Sequence, residues 1–315
     1  GWRLSDAWLG MAGVADVGLP NGLPVDDWGI RVEDCRPAGA SMARGGALDS
    51  PAAVYAVQQY IDWLKRYAPP EAQQMSFTQA GNVAARGQVA QQIFWYTAFT
   101  ADYTRADSPM LDEKGEPRWR VAPSPRGAYW REGMKSGYQD VGAWTLLKTT
   151  PLRQRQAAWL YAQFVVSKSV SLRKTLVGLT PIRHSDLQSP ALLAAAPKLG
   201  GLVEFYRSPA ARRWTPTGAN VPDYSGMASL WWRQLHPAVS GQLSATEALR
   251  NLAQVFDQHL LGVGQRQAHA CAPRLNSQQT SAFWLKQPGA PWPKLLDERP
   301  PGRTLPYAEA LRAWD

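Results

Sequence analysis

The chain has 315 residues, with 34 Lys and Arg against 25 Asp and Glu, a net charge of +9. Hydrophobic residues make up 45% and charged residues 19%, too apolar for a disordered chain, and 26 glycines are too few for a collagen repeat. Two cysteines exclude a small disulfide scaffold, and no run of 18 apolar residues is present to span a membrane.

The first 49 residues are rich in Gly and Pro (GVADVGLPNGLPVDDWG) and read as a loop segment. The opening GWRLSDAWLG has neither a basic n-region nor an apolar h-region, so a removed signal or a longer parent chain is expected. Ser50-Pro51 then sets an N-cap and a first-turn proline. Val54, Val57, Ile61 and Leu64 recur at helical spacing, and Pro69-Pro70 stops that helix. A shorter helix is expected over 76–88 and a buried strand over 93–96. A turn follows at Asp112–Gly115, with strands expected over 118–123 and 140–148. Thr150-Pro151 opens a helix through AAWLYAQFVVSK, whose apolar density predicts deep burial. Another helix runs through VSLRKTLVG, and residues 179–183 leave it as a loop. Ser244 and Glu247 form a capping box for ATEALRNLAQVFDQHLL, which places Leu249, Leu252, Val255, Phe256 and Leu260 on one face. A proline-rich tail closes the chain. These signals divide it into 1–49, 50–262 and 263–315.

The positive charge is scattered. Its clusters are short (Lys65-Arg66, Arg118 with Arg120, Arg212-Arg213), which indicates a solvated surface and no nucleic-acid partner. No GxSxG, P-loop, HExxH or CxxC motif occurs. The four histidines fit no metal spacing, so neither a metal nor a cofactor is expected. Asp26, Asp27, Asp140 and Glu204 leave a second reading open, a carbohydrate-active hydrolase with paired carboxylates. Cys35 and Cys271 would tie the opening segment to the tail if an oxidising compartment let them pair.

The 15 tryptophans carry more information. Trp63 and Trp159 sit inside helical patterns and read as packing. Trp95, Trp144 and Trp231-Trp232 lie at strand ends or after a loop. There an indole can offer its face to the C–H face of a sugar or polyol and its N–H to a hydroxyl.

The order of segments then becomes recognisable. GQVAQQIFWYTAF, RVAPSP, GYQDVGAWTLL, AAWLYAQFVVSK, GLTPIR and MASLWWRQLHPAVSGQLSATEAL follow one another across residues 50–260. Together they resemble family 1 of the extracellular solute-binding proteins of ABC importers. PVDDWGIR, CRPAGAS and PKLGGLVEFYRSP are similar to the glycerol and polyol branch. The resemblance implies an α/β, periplasmic-binding-protein-like fold of type II, with two lobes joined by hinge strands and closing on the ligand. It implies a monomeric, non-enzymatic periplasmic or extracellular protein that hands a sugar, glycerol or related polyol to membrane permease subunits. It places Trp144, Trp95 or Tyr96, and Trp231 or Trp232 against the ligand, with Arg183 and Asp140 bonding its hydroxyls. Family members are longer. The opening strands and helices of their first lobe have no counterpart here, so the chain is expected to be the C-terminal portion of such a protein.

Overall fold

A computed structural model of the chain describes residues 31–33, 36–93, 97, 99–122, 138–139, 144–212, 215–216, 224–266 and 274–286, with 306, 308–309 and 312 near the end. The elements in order are β1 (Arg31–Glu33), β2 (Arg36–Gly39), α1 (Pro51–Arg66), α2 (Phe77–Ala85), α3 (Thr100–Tyr103) and β3 (Tyr138–Gln139). They continue with α4 (Leu152–Val165), α5 (Lys168–Leu176), α6 (His184–Leu187), α7 (Pro190–Ala195) and α8 (Leu202–Arg207). Last come β4 (Thr215–Pro216), α9 (Tyr224–Val239), α10 (Ala245–Arg266) and α11 (Ser281–Leu285).

The chain divides into two compact units, each assembled from separate stretches. One unit comprises Gly1–Ala68, Ser124–Asp140 and Trp214–Arg303; the other comprises Pro69–Pro123, Val141–Arg213 and Thr304–Asp315. A linear reading into three consecutive segments does not reach this division.

In the first unit, α1, α9 and α10 pack into one core. The signals that form α1 and α10 are those of the sequence. Ser50 Oγ accepts from the Ala53 amide at 3.2 Å, and Pro51 fills the first turn. Ser244 and Glu247 close their capping box, with the Ser244 amide donating to Glu247 Oε2 at 2.9 Å and the Glu247 amide to Ser244 Oγ at 3.2 Å. Those two bonds from Ser244 hold the Glu247 carboxyl below its usual range. From α10, Leu249, Leu252, Phe256 and Leu260 are fully buried, as the spacing predicts. Ala52, Ala53 and Ala56 of α1 are small enough to let the helix come close to this core. Each buried Leu or Phe contributes about 1.5–3 kcal/mol.

Two features of this unit were not legible. β1 and β2 form an antiparallel hairpin, with a bulge between Arg31 and Val32, inside the stretch expected to be loop. α9 is a 16-residue helix with Pro237 inside it. Gly226 and Pro237 disguise that helix in the sequence, because both residues normally interrupt one.

The turn over 40–45 is held from two sides. Asp257 of α10 accepts from the Ala40 amide at 2.7 Å and from Ser41 Oγ at 2.5 Å, with Arg44 Nε 3.7 Å away. Asp49 accepts from the Met42 amide at 2.7 Å. Burial is the largest influence on both carboxyls and pushes both up. From the other side, Trp284 Nε1 and the Gln279 amide both donate to the Ala43 carbonyl, at 2.9 and 2.8 Å. Gly45 adopts φ +83, and a Cβ there would stand 3.1 Å from the Trp284 indole, so glycine serves both the turn and the contact. The segment after α10 therefore docks on the body through 274–286.

The second unit has two small cores. Ala84, Phe99 and Tyr103 form one, with Trp119 edge-on to Tyr103 at 5.4 Å. Leu192, Leu199, Leu202 and Val203 form the other, backed by Leu172 and Leu176 of α5. α2 starts at the capping box of Ser76 and Gln79, and α5 lies where its pattern predicts. α6, α7 and α8 were not anticipated. They are four to six residues long, too short to show helical periodicity.

Three expected strands fare differently. Residues 118–122 make no ladder; the Val121 amide donates to Gly200 at 2.7 Å, and Pro117 forms an isolated bridge with Leu111. Of the strand expected over 140–148, residues 144–147 are irregular and exposed. The only pairing nearby is upstream of it, a two-residue parallel match of Tyr138–Gln139 with Thr215–Pro216. For the strand expected over 93–96, residues 94–96 lie outside the described residues.

α4 forms at the expected place but is not buried. None of its residues is buried, and Trp159, Leu160 and Phe164 are 55%, 65% and 62% exposed. Trp63 of α1, also read as packing, is 44% exposed. Apolar density shows that a segment wants burial; it does not show what would cover it.

Candidate functional site

The aromatic and basic residues expected at a ligand separate by unit. In the second unit, Trp144 lies just ahead of α4 with its ring 65% exposed. The ring centroid is 5.3 Å from that of Tyr161 on α4, at 40°. Tyr161 is itself 55% exposed. The pair is an open aromatic platform, suited to the C–H face of a sugar or polyol.

Arg183 comes to the same end of α4. Its Nε donates to the Val166 carbonyl at 2.5 Å, one residue past the helix. A guanidinium there satisfies an orphan carbonyl and complements the negative end of the helix dipole. Its Nη groups carry the remaining donors of the fork. The loop leading to Arg183 is pinned by Thr180 Oγ1 donating to Thr97 Oγ1 at 2.8 Å. Beyond it, the buried Asp186 accepts from Ser171 Oγ and ties α6 to α5. Two of the predicted residues, Trp144 and Arg183, are thus brought to the C-terminal half of one helix.

In the first unit, Trp231 and Trp232 are neighbours on α9 with opposite fates. Trp231 is fully buried, edge-on to Phe256 at 5.9 Å and 78°. It is a core residue, and its expected role against the ligand is corrected on that ground. The structure places both residues inside the helix, where successive side chains point about 100° apart, so only one can face the core. Trp232 is the one that faces out. It is 37% exposed, with His236 edge-on at 5.6 Å one helical turn later.

Trp95, Tyr96, Asp140, Cys35 and Cys271 lie outside the described residues. Sequence reasoning missed Tyr161 and His236. Tyr161 was hidden in a run read as core. His236 is four residues from Trp232, a spacing that has meaning only once the segment is known to be helical.

Among the described residues, no group of three His, Cys, Asp or Glu could hold a metal ion. Of the carboxylates considered for hydrolysis, Asp26, Asp27 and Asp140 lie outside the described residues, and Glu204 stands exposed on α8. The buried carboxylates Asp49 and Asp257 spend their lone pairs on amides and a hydroxyl of the 40–45 turn. Their raised values belong to the fold rather than to a reaction. No helix among the described residues is long and apolar enough to cross a membrane.

No family model matches the chain. It is 26% identical over 148 residues to a protein of Sinorhizobium fredii named "Probable amino-acid ABC transporter periplasmic-binding protein", a match covering 47% of this chain and 31% of that one. Among solved structures, it resembles the maltose-bound MalE3 of T. maritima with a TM-score of 0.55 and 23% identity, over 68% of this chain and 52% of that one. It also resembles an ABC transporter solute-binding protein from Agrobacterium radiobacter K84 in complex with ribitol, with a TM-score of 0.52 and 18% identity, over 82% of this chain and 63% of that one. The chain therefore spans about a third of the curated relative and between half and two thirds of the two structures. The motif order and these comparisons agree on one resemblance and one fold, those of the solute-binding proteins of ABC transporters.

Proposed function

We propose that the chain is the solute-binding part of an ABC importer. It takes up a sugar, glycerol or related polyol outside the cytoplasmic membrane, as a single copy, and passes it to membrane permease subunits. It performs no covalent chemistry and needs no cofactor. The observation that carries this reading is the exposed Trp144–Tyr161 pair beside Arg183, in a chain whose fold is that of solute-binding proteins. Two indole or phenol faces without a catalytic constellation can hold a ring or a polyol chain, and an arginine fork adds directional bonds. Trp232, Trp95, Tyr96 and Asp140 are proposed as further contacts. Binding would act by population shift: the ligand favours the conformer it touches on more surfaces, and the permease reads that conformer.

The name of the Sinorhizobium relative favours a second ligand class, an amino acid. The Nη donors of Arg183 suit its carboxylate. Thermal unfolding of the chain with a panel of ribitol, glycerol, maltose and amino acids separates the two. A concentration-dependent rise in Tm with a polyol or sugar supports the first reading. A rise with amino acids alone supports the second. Turnover of a glycoside by the chain would contradict both.

A further inference from the structure

α4 is apolar almost all the way round. Its side toward its own unit is a narrow stripe of Arg155, Ala158, Ala162 and Val165, which are only half-buried. The wider arc carries Leu152, Trp159, Leu160, Tyr161 and Phe164, each more than half exposed, and Trp144 extends it. No acidic residue lies anywhere between 144 and 166. A helix apolar on all sides belongs inside a protein, and exposed apolar surface on this scale marks an interface.

A sugar is too small to cover it. Fourteen residues of helix run about 21 Å, whereas a ligand on the Trp144–Tyr161 platform occupies one end. The described residues of this unit contain no strand pair beyond the isolated Leu111–Pro117 bridge. In α/β folds such helices cover a sheet. The chain spans only 52% and 63% of the two structures whose fold it shares.

We infer that the outward arc of α4 is the seat of the polypeptide that completes this lobe: the sheet-bearing remainder of the solute-binding-protein fold, supplied from outside this sequence. This rests on the fold likeness behind the functional reading. On this view the face is an interrupted core rather than a surface for a foreign partner, and ligand affinity depends on its being filled.

The test is complementation. The tagged chain is co-expressed in trans with the polypeptide encoded directly before it and, separately, with the one encoded directly after it. One of them is expected to co-purify at one to one, raise the Tm of the chain and suppress its binding of an apolar dye. The double variant Trp159→Asp, Phe164→Asp should weaken that capture at least about tenfold, yet unfold alone at the wild-type Tm, because the face it alters is bare. Failure of both polypeptides to co-purify overturns the inference. So does a homodimer of the chain that the double variant dissociates, which would make a second copy the occupant. Loss of folding in the isolated double variant overturns it too, since the face would then be covered by the chain itself. A complex that forms but binds none of the panel would end the ligand reading and leave this one standing.

Discussion

α10 and α4 are both amphipathic-to-apolar helices whose sequences demand burial, yet one finds it and the other does not. α10 lays Leu249, Leu252, Phe256 and Leu260 against α1 and α9, all fully buried. α4 leaves Trp159, Leu160 and Phe164 more than half in solvent. The difference is not in propensity or in apolar content. It lies in whether this chain supplies the opposing surface. α10 has two long helices to meet it; α4 meets only short ones along a stripe of small residues.

Substitutions should divide along the same line. Phe256→Ala in α10 should cost about 3–5 kcal/mol in urea unfolding, and Leu252→Ala about 2–5 kcal/mol. Phe164→Ala in α4 should stay within about 0.5 kcal/mol in the isolated chain. A Phe164→Ala cost near that of Phe256→Ala would break the contrast. The clamp on the 40–45 turn comes next. Asp257→Ala strands the Ala40 amide and Ser41 hydroxyl, and should cost about 1–3 kcal/mol. Ser50→Ala removes the α1 cap and should cost about 1 kcal/mol by the same measurement.

The smallest effect is in pH. Burial raises both Asp49 and Asp257 in the folded chain. The folded state therefore holds these protons more tightly than the unfolded state does. Between the ordinary carboxylate range and the raised folded values, their contribution to stability grows as pH falls, the reverse of a salt-bridged aspartate. Asp257→Asn should flatten this dependence in unfolding curves collected across that range. An unchanged slope would mean that Asp257 is not a source of it.

Legibility followed the same division. Helices with local start and stop signals were readable: Ser50-Pro51 for α1, Ser76 with Gln79 for α2, Ser244 with Glu247 for α10. So was the turn at Asp112, whose carboxylate takes the Lys114 and Glu116 amides at 2.9 and 2.8 Å. What failed depended on distant partners. Residues 118–122 alternate like a strand but have no strand beside them. Trp231 and Trp232 differ only in which side of α9 they occupy, and α9 itself was concealed by Gly226 and Pro237. Of the site, Trp144 and Arg183 were named from motif order. Tyr161 could not be, because the run that contains it reads as core and becomes a platform only when that core face lies open.

The account turns on Trp144. Isothermal titration of the chain with ribitol, repeated with Trp144→Ala, tests it most directly. Saturable one-to-one binding by the wild type is predicted, with loss of at least about 1.4 kcal/mol, a tenfold weakening, in the variant and no change in its Tm. Equal binding by both proteins, or no binding by the wild type of any polyol, sugar or amino acid, would contradict it.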